Sequence, residues 1–216
     1  MAAPDSPLVP DDIERGTSVL VSGPAMTGKR GLVLDIVAGS HDRSAILVTT
    51  KAGDDRIHRE FEGDRDDPDA WRLSVVDCVS QGGFGDEQTD GTTEYVSTPA
   101  DLTGVGIAAS GFMQSCYHDD ERRRARVGLH SLSTLLMYAE LRRVYQFVHV
   151  LSTRVQSAGF AGAFALDTTP GDAEARQRLL QLFDAAVETR EGPDGPQLRV
   201  RGGDFGPESW TDYEPS

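Results

Sequence analysis

A glycine-rich turn between a short apolar run and a helical pattern is the feature that most constrains the fold. The run at residues 18–22, Ser-Val-Leu-Val-Ser, is bounded by Gly23-Pro24 and predicts a buried strand that ends in a turn. Residues 29–38 carry apolar side chains at helical spacing and predict a helix directly after it. A strand, a glycine turn and a helix in this order are typical of an open α/β sheet.

The turn itself reads Gly-Pro-Ala-Met-Thr-Gly-Lys and matches Gly-x4-Gly-Lys, the pattern of a phosphate-binding loop. Its glycines let backbone N–H groups face a phosphate, and the positive end of the helix dipole points the same way. The alternative is an ordinary strand-to-helix turn that contains Gly-Lys by chance. The predicted nucleotide-binding residues are Gly23, Pro24, Ala25, Met26, Thr27, Gly28, Lys29 and Arg30.

The rest of the chain alternates apolar runs with helical patterns, which predicts a mainly parallel central sheet flanked by helices. Further strands are predicted at 45–49, 73–77, 127–133 and 160–166, and helices at 98–112, 134–157 and 171–183. Residues 54–62 are predicted to form a polar, exposed helix or turn. Two final runs, 185–189 and 197–201, are joined by Gly-Pro-Asp-Gly and predict a C-terminal β-hairpin.

The chain has 216 residues, a length that favours one α/β domain. We predict a flexible N-terminus at 1–16, a single nucleotide-binding domain at 17–203 and a flexible C-terminal tail at 204–216. Residues 80–97 are rich in glycine and acidic side chains, and they predict a mobile loop within the domain.

Charge and composition restrict the function classes. The chain has 35 acidic and 21 basic residues and a net charge of −14, which disfavours binding to nucleic acid. Only two of the basic residues are lysines, and an acidic, lysine-poor surface indicates a halophilic protein. A GC-rich genome explains the lysine deficit but not the charge. No membrane span, signal peptide or disulfide framework is evident, so a cytoplasmic location is expected.

Two positions depart from a working magnesium-dependent loop. A Ser or Thr normally follows the loop lysine and ligates Mg²⁺, but here the residue is Arg30. The strand at 127–133 ends in His130-Ser131, where an aspartate would close a magnesium site. Arg30 either contacts phosphate itself or points to solvent or to a neighbouring carboxylate on its helix. His130 is more simply a hydrogen-bonded strand-end residue than a metal ligand. We therefore name no metal ligand.

Residues 18–34, 127–136 and 159–167, with the following hairpin, together resemble the RecA superfamily. The chain is most similar to the KaiC/GvpD/RadA-like branch of halophilic archaea, which includes small single-domain members of unassigned function. The resemblance implies a RecA-like fold, ATP or a related nucleotide as ligand, and oligomers as a possible assembly. It carries phosphate binding over to Gly23, Gly28 and Lys29. The catalytic glutamate of the family is replaced within Val-Thr-Thr-Lys at 48–51.

These departures favour an ATP-binding regulatory or signalling protein with little or no ATP hydrolysis, and they leave the need for Mg²⁺ open. The expected partner is a protein or a second copy of the chain. One alternative is an active ATPase whose metal is held by Asp77 or Asp167, which both end strands. Another is an interaction scaffold without nucleotide. The residues expected around the loop are His130, Ser131, Asp77 and Asp167.

Overall fold

The computed structural model describes residues 7–39, 44–62, 72–80, 92–118, 125–168 and 173–214. Within these ranges the chain forms one nine-stranded sheet with helices on both faces. The strands are β1 Ser18–Gly23, β2 Ser44–Thr49, β3 Arg72–Asp77, β4 Thr93–Tyr95, β5 Ala125–His130, β6 Ala161–Asp167, β7 Ala185–Glu191, β8 Pro196–Arg201 and β9 Thr211–Asp212. The helices are α1 Lys29–Ala38, α2 Asp54–Glu62, α3 Leu102–His118, α4 Leu132–Tyr138, α5 Leu141–Ser157 and α6 Ala173–Leu180, with a 3₁₀ turn at Pro10–Asp12.

The strand order is β4-β3-β2-β5-β6-β1-β7-β8-β9. All pairs from β4 to β7 are parallel, whereas β8 and β9 pair antiparallel at one edge. The predicted mainly parallel sheet and the C-terminal hairpin are therefore confirmed. Because β1, β2, β5 and β6 are central and parallel, their carboxyl ends meet at one edge of the sheet, where ligands bind in open α/β folds.

Burial on both faces explains the continuous apolar strands. Every residue of β1 and β2 is buried, as expected for parallel strands covered on both sides. Helices α3, α4, α5 and α6 pack on one face around residues such as Leu129 and Phe164. Helices α1 and α2 pack on the other face around residues such as Val33 and Leu47. Among the described helices, none is long and apolar enough to cross a membrane.

Both chain ends differ from the prediction of flexible termini. Phe205 and Tyr213, in the predicted tail 204–216, are 2% and 6% exposed and belong to the core on the α1 side of the sheet. Strand β9 also pairs with β8. Leu8 and Ile13 are buried in the same core. Isolated apolar side chains thus anchor the otherwise polar segments 7–16 and 204–214, an arrangement that the sequence did not predict. Residues 1–6, 215 and 216 lie outside the described residues.

Three internal boundaries also differ. Residues 93–95 of the predicted loop 80–97 form strand β4. Its pairing with β3 is completed by backbone hydrogen bonds from Val75 N–H to the Thr92 carbonyl oxygen and from Val96 N–H to the Asp77 carbonyl oxygen. Residues 81–91 lie outside the described residues. Helix α3 begins at Leu102, after Asp101 accepts a hydrogen bond from Gly104 N–H at 2.9 Å. The predicted helix 134–157 is two helices, because the backbone at Ala139 is extended.

Candidate functional site

The predicted loop lies at the carboxyl edge of the sheet, between β1 and α1. Gly28 adopts a left-handed backbone with φ of 68° immediately before α1. A Cβ atom added to Gly23 would lie 1.9 Å from Thr189 Oγ1 and 2.5 Å from the Thr189 carbonyl oxygen on β7. The two glycines of the motif are thus required for different reasons: Gly28 for its backbone conformation and Gly23 for its close packing against β7. The side chain of Met26, at the tip, is 95% exposed.

The Lys29 side chain turns back into the loop and is only 3% exposed. Its ammonium group donates hydrogen bonds to the Pro24 carbonyl oxygen and, at 3.4 Å, to Thr27 Oγ1. It also lies 3.0 Å from Asp167 Oδ1. Burial lowers the pKa of Lys29, and the hydrogen bond to Asp167 opposes that shift. A carboxylate thus faces the Lys29 ammonium group in its confined position and offsets part of the cost of its burial.

Asp167 also binds the second lysine of the chain. Lys51 Nζ, which follows β2, lies 2.8 Å from Asp167 Oδ2. Asp167 reaches the loop because it ends β6 and pairs in register with Gly23 at the end of β1. Burial raises the pKa of Asp167, but the bonds from Lys51 and Lys29 outweigh that effect and lower the pKa overall. One carboxylate thus bridges both lysines in the sequence.

Arg30 pairs with a carboxylate other than Asp167. Its guanidinium pairs with Glu60 on α2, and its Nε atom is buried without a hydrogen-bond partner among the described residues. The carboxylate that Arg30 contacts thus lies on α2 and not on its own helix, α1. Desolvation lowers the Arg30 pKa, and Glu60 counteracts it.

His130 ends β5 and lies among the charged groups of the site. Burial is the main reason that its pKa falls to about 4, and the positive charges of Lys51 and Arg30 add to the shift. The imidazole is consequently neutral at pH 7. The backbone carbonyl oxygen of His130 accepts a hydrogen bond from Thr50 N–H at 2.9 Å, so the residue also fixes the chain directly after β2.

Asp77 and Ser131, by contrast, organise backbone. Asp77 is fully buried and accepts hydrogen bonds from the N–H groups of Asp54 at 2.9 Å, Val79 at 2.7 Å and Ser80 at 2.9 Å. Its strand, β3, is four positions from β1 in the sheet, a separation of about 19 Å at the usual strand spacing. Ser131 caps α4 by accepting from Thr134 N–H at 3.4 Å. The structure does not bring Asp77 to the loop.

The donor set around the loop does not fit a magnesium ion held by protein ligands. Mg²⁺ requires oxygen ligands in near-octahedral geometry. The two positions that would supply them are Arg30 and His130, and each oxygen of Asp167 already contacts an ammonium group. Over the part of the chain that the structure describes, no cluster of three or more His, Cys, Asp or Glu residues could hold a metal ion.

Several residues at the site were not predicted from the sequence. Lys51 is the most important, and its only signal is that it is one of two lysines and follows a strand. Thr189 Oγ1 lies 2.6 Å from Thr27 Oγ1 and ties the loop to β7. The Tyr213 hydroxyl donates to the Thr27 carbonyl oxygen, so the C-terminal segment also holds the loop. No local pattern marks either contact, because each joins residues more than 160 positions apart.

Comparison with known proteins supports the fold assignment. The structure is similar to the crystal structure of the KaiC-like protein PH0186 from the hyperthermophilic archaeon Pyrococcus horikoshii, with a TM-score of 0.59. The sequences are 14% identical, and the match covers 91% of this chain and 83% of the other. The expected RecA-like fold is thus confirmed. No curated protein matches the sequence. The sequence profile of one family of unknown function, DUF7504, matches residues 16–189 and so spans most of the chain, which therefore belongs to that family.

Proposed function

We propose that this chain binds a nucleotide, with ATP the first candidate, in the loop at residues 23–30, and that it acts as a regulatory or signalling module. The observation that carries the proposal is the loop itself: a left-handed Gly28 before α1 and a lysine that folds back under the loop. Helix α1 begins directly at this loop, and the amino end of a helix presents backbone N–H groups and the positive end of its dipole. This chemistry suits a phosphate group.

The same residues favour binding over turnover. ATP hydrolysis requires charge neutralisation at the transferred phosphate and a residue that orients water. The resemblance to the RecA superfamily puts the catalytic glutamate position within 48–51, where the only charged residue is Lys51, and Arg30 and His130 replace the oxygen ligands of the metal. We therefore expect little or no hydrolysis, with conformation carrying the signal.

A contact between helices suggests how binding could be transmitted. Arg30 on the first turn of α1 pairs with Glu60 on α2, so a shift of the loop on phosphate binding acts directly on α2. Helix α2 has a strongly polar exposed side that includes Asp55 and Arg59. A protein partner, or a second copy of the chain, that contacts α2 would then sense the occupied site.

Calorimetric titration with ATP, in molar KCl, tests the proposal. We expect saturable one-site binding to the wild-type chain and its loss in Lys29→Met, with unchanged circular dichroism. The control variant is Arg178→Met, which removes an exposed charge from α6 and leaves binding intact. A phosphate-release assay on the same samples should give no turnover above background. Absence of ATP binding would contradict the proposal and favour an interaction scaffold.

One observation favours a second candidate, an ATPase with an altered metal site. Asp167 lies 3.0 Å from Lys29, close enough to contribute a carboxylate to a metal bound beside the phosphates. This candidate requires Asp167 to release both lysines. It predicts phosphate release that depends on Mg²⁺ and is lost in Asp167→Asn. Asp77 does not support it, because backbone N–H groups occupy both of its carboxylate oxygens.

A further inference from the structure

The two lysines of this chain converge on one carboxylate although they come from distant parts of the fold. Lys29 follows β1 and Lys51 follows β2, and these strands are separated in the sheet by β6 and β5. Each lysine binds a different oxygen of Asp167, at 3.0 Å for Lys29 and 2.8 Å for Lys51. A phosphate group presents several anionic oxygens around one atom and could bridge two ammonium groups in the same way.

The two lysines differ in access to solvent. The Lys29 side chain is 3% exposed, whereas the Lys51 side chain is 42% exposed and the Asp167 side chain 22%. Lys51 therefore forms the outer part of the site and Lys29 the inner part, with Asp167 between them. An anion that approaches from solvent meets Lys51 first and must replace Asp167 to reach Lys29.

Among the described side chains near the loop, we find no third cation that is available to bind a phosphate group. Arg30 is held by Glu60, and His130 is neutral at pH 7. Among the described residues, Arg30 and His130 stand at the two positions where oxygen ligands for Mg²⁺ are expected, so the two ammonium groups are left to neutralise the charge of the ligand. In a chain of net charge −14, the two ammonium groups concentrate positive charge beside the loop.

We infer that Lys51 is the second phosphate-binding cation, that the ligand is a polyphosphate free of divalent metal, and that Asp167 occupies both lysines until this ligand displaces it. The inference rests on the proposed nucleotide site and specifies its ligand class. Asp167 is then a competing internal anion and not a metal ligand. Removing the charge of Asp167 strengthens ATP binding if Asp167 is a competing anion and weakens it if Asp167 is a metal ligand.

The test is calorimetric titration with ATP, in excess EDTA and in excess Mg²⁺, at the lowest KCl concentration that keeps the chain folded. We expect binding in EDTA that Mg²⁺ does not strengthen. Lys51→Met should weaken this binding by about tenfold or more, the loss expected for one charge-assisted hydrogen bond, and Lys51→Arg should restore part of it. Arg178→Met, which removes the same charge elsewhere, should change it by less than about twofold.

Asp167→Asn gives the decisive comparison. If Asp167 competes with the ligand, this variant binds ATP more tightly in EDTA than the wild-type chain. Binding that requires both Mg²⁺ and Asp167, in variants with unchanged circular dichroism, would overturn the inference but retain the proposed nucleotide site. An effect of Lys51→Met no larger than that of Arg178→Met would also overturn it. Absence of ATP binding in both conditions would instead remove the proposed function itself.

Discussion

The buried carboxylate of Asp77 provides the sharpest stability prediction. It accepts three backbone hydrogen bonds of 2.7 to 2.9 Å at the end of β3. A buried N–H group that loses its acceptor costs about 1 to 3 kcal/mol. Water can reach part of the space that a truncated side chain leaves, because Val79 is 46% exposed. We therefore expect Asp77→Ala to lower the free energy of unfolding by about 3 kcal/mol, near the lower end of the sum for three groups.

Asp77→Asn separates the three bonds. An asparagine can keep its carbonyl oxygen toward Val79 and Ser80, but its NH₂ group then faces the Asp54 N–H and loses that bond. The expected loss of unfolding free energy is about 1 to 2 kcal/mol. Asp101→Asn is the matched control, because an exposed helix cap tolerates the same change within about 0.5 kcal/mol.

Urea unfolding in molar KCl, followed by circular dichroism, measures these differences at constant ionic strength. The transitions should keep the same slope and differ in midpoint. ATP binding by Asp77→Asn should match the wild type, because Asp77 lies away from the loop. If Asp77→Asn kept its stability but lost ATP binding, the structural role of Asp77 would be refuted, because its carboxylate would then act at the ligand.

Three further predictions concern the loop and its surroundings. Gly23→Ala should lower the unfolding free energy by about 2 to 3 kcal/mol because its Cβ would overlap β7. Gly111→Ala, in open space on α3, should raise it by up to about 1 kcal/mol. The midpoints of urea unfolding should therefore shift in opposite directions for the two variants. Tyr213→Phe should cost about 1 kcal/mol and speed amide exchange in the loop, because the Thr27 carbonyl loses a donor; unchanged exchange would contradict this contact. The pKa of His130 is about 4 in the folded chain and 6.5 in the unfolded chain, so its contribution to stability is present above pH 6.5 and is lost as the pH falls toward 4. His130→Gln should remove up to about 3 kcal/mol of this pH dependence, which a plot of unfolding free energy against pH would show as a flatter curve.

The sequence predicts the main elements well where burial is continuous. Strands β1, β2 and β3 and helices α1 and α2 lie within one residue of their predicted bounds, because apolar runs on both faces of a parallel sheet are uninterrupted. The break between α4 and α5 was missed because no glycine or proline marks it. Phe205 and Tyr213 were missed because isolated aromatic residues in a polar segment form no pattern.

The site is predictable only in part. The glycine and lysine spacing at 23–29 gave the loop, since that geometry is local. The bridge from Lys29 through Asp167 to Lys51 depends on the strand order, which places β6 beside β1 and β2 three positions from β1. Sequence patterns locate Asp77 and Asp167 equally well at strand ends, but only the fold shows that one of them meets the loop.

The most direct test of the account is a titration of ¹⁵N-labelled protein with ATP, followed by amide chemical shifts. We predict that the largest shifts belong to the N–H groups of residues 25–30, with smaller shifts beside Lys51 and Asp167. Pro24 has no backbone N–H and gives no signal. Saturating shifts confined to another part of the molecule, or an unchanged spectrum at millimolar ATP, would contradict the assignment of this loop as the nucleotide site.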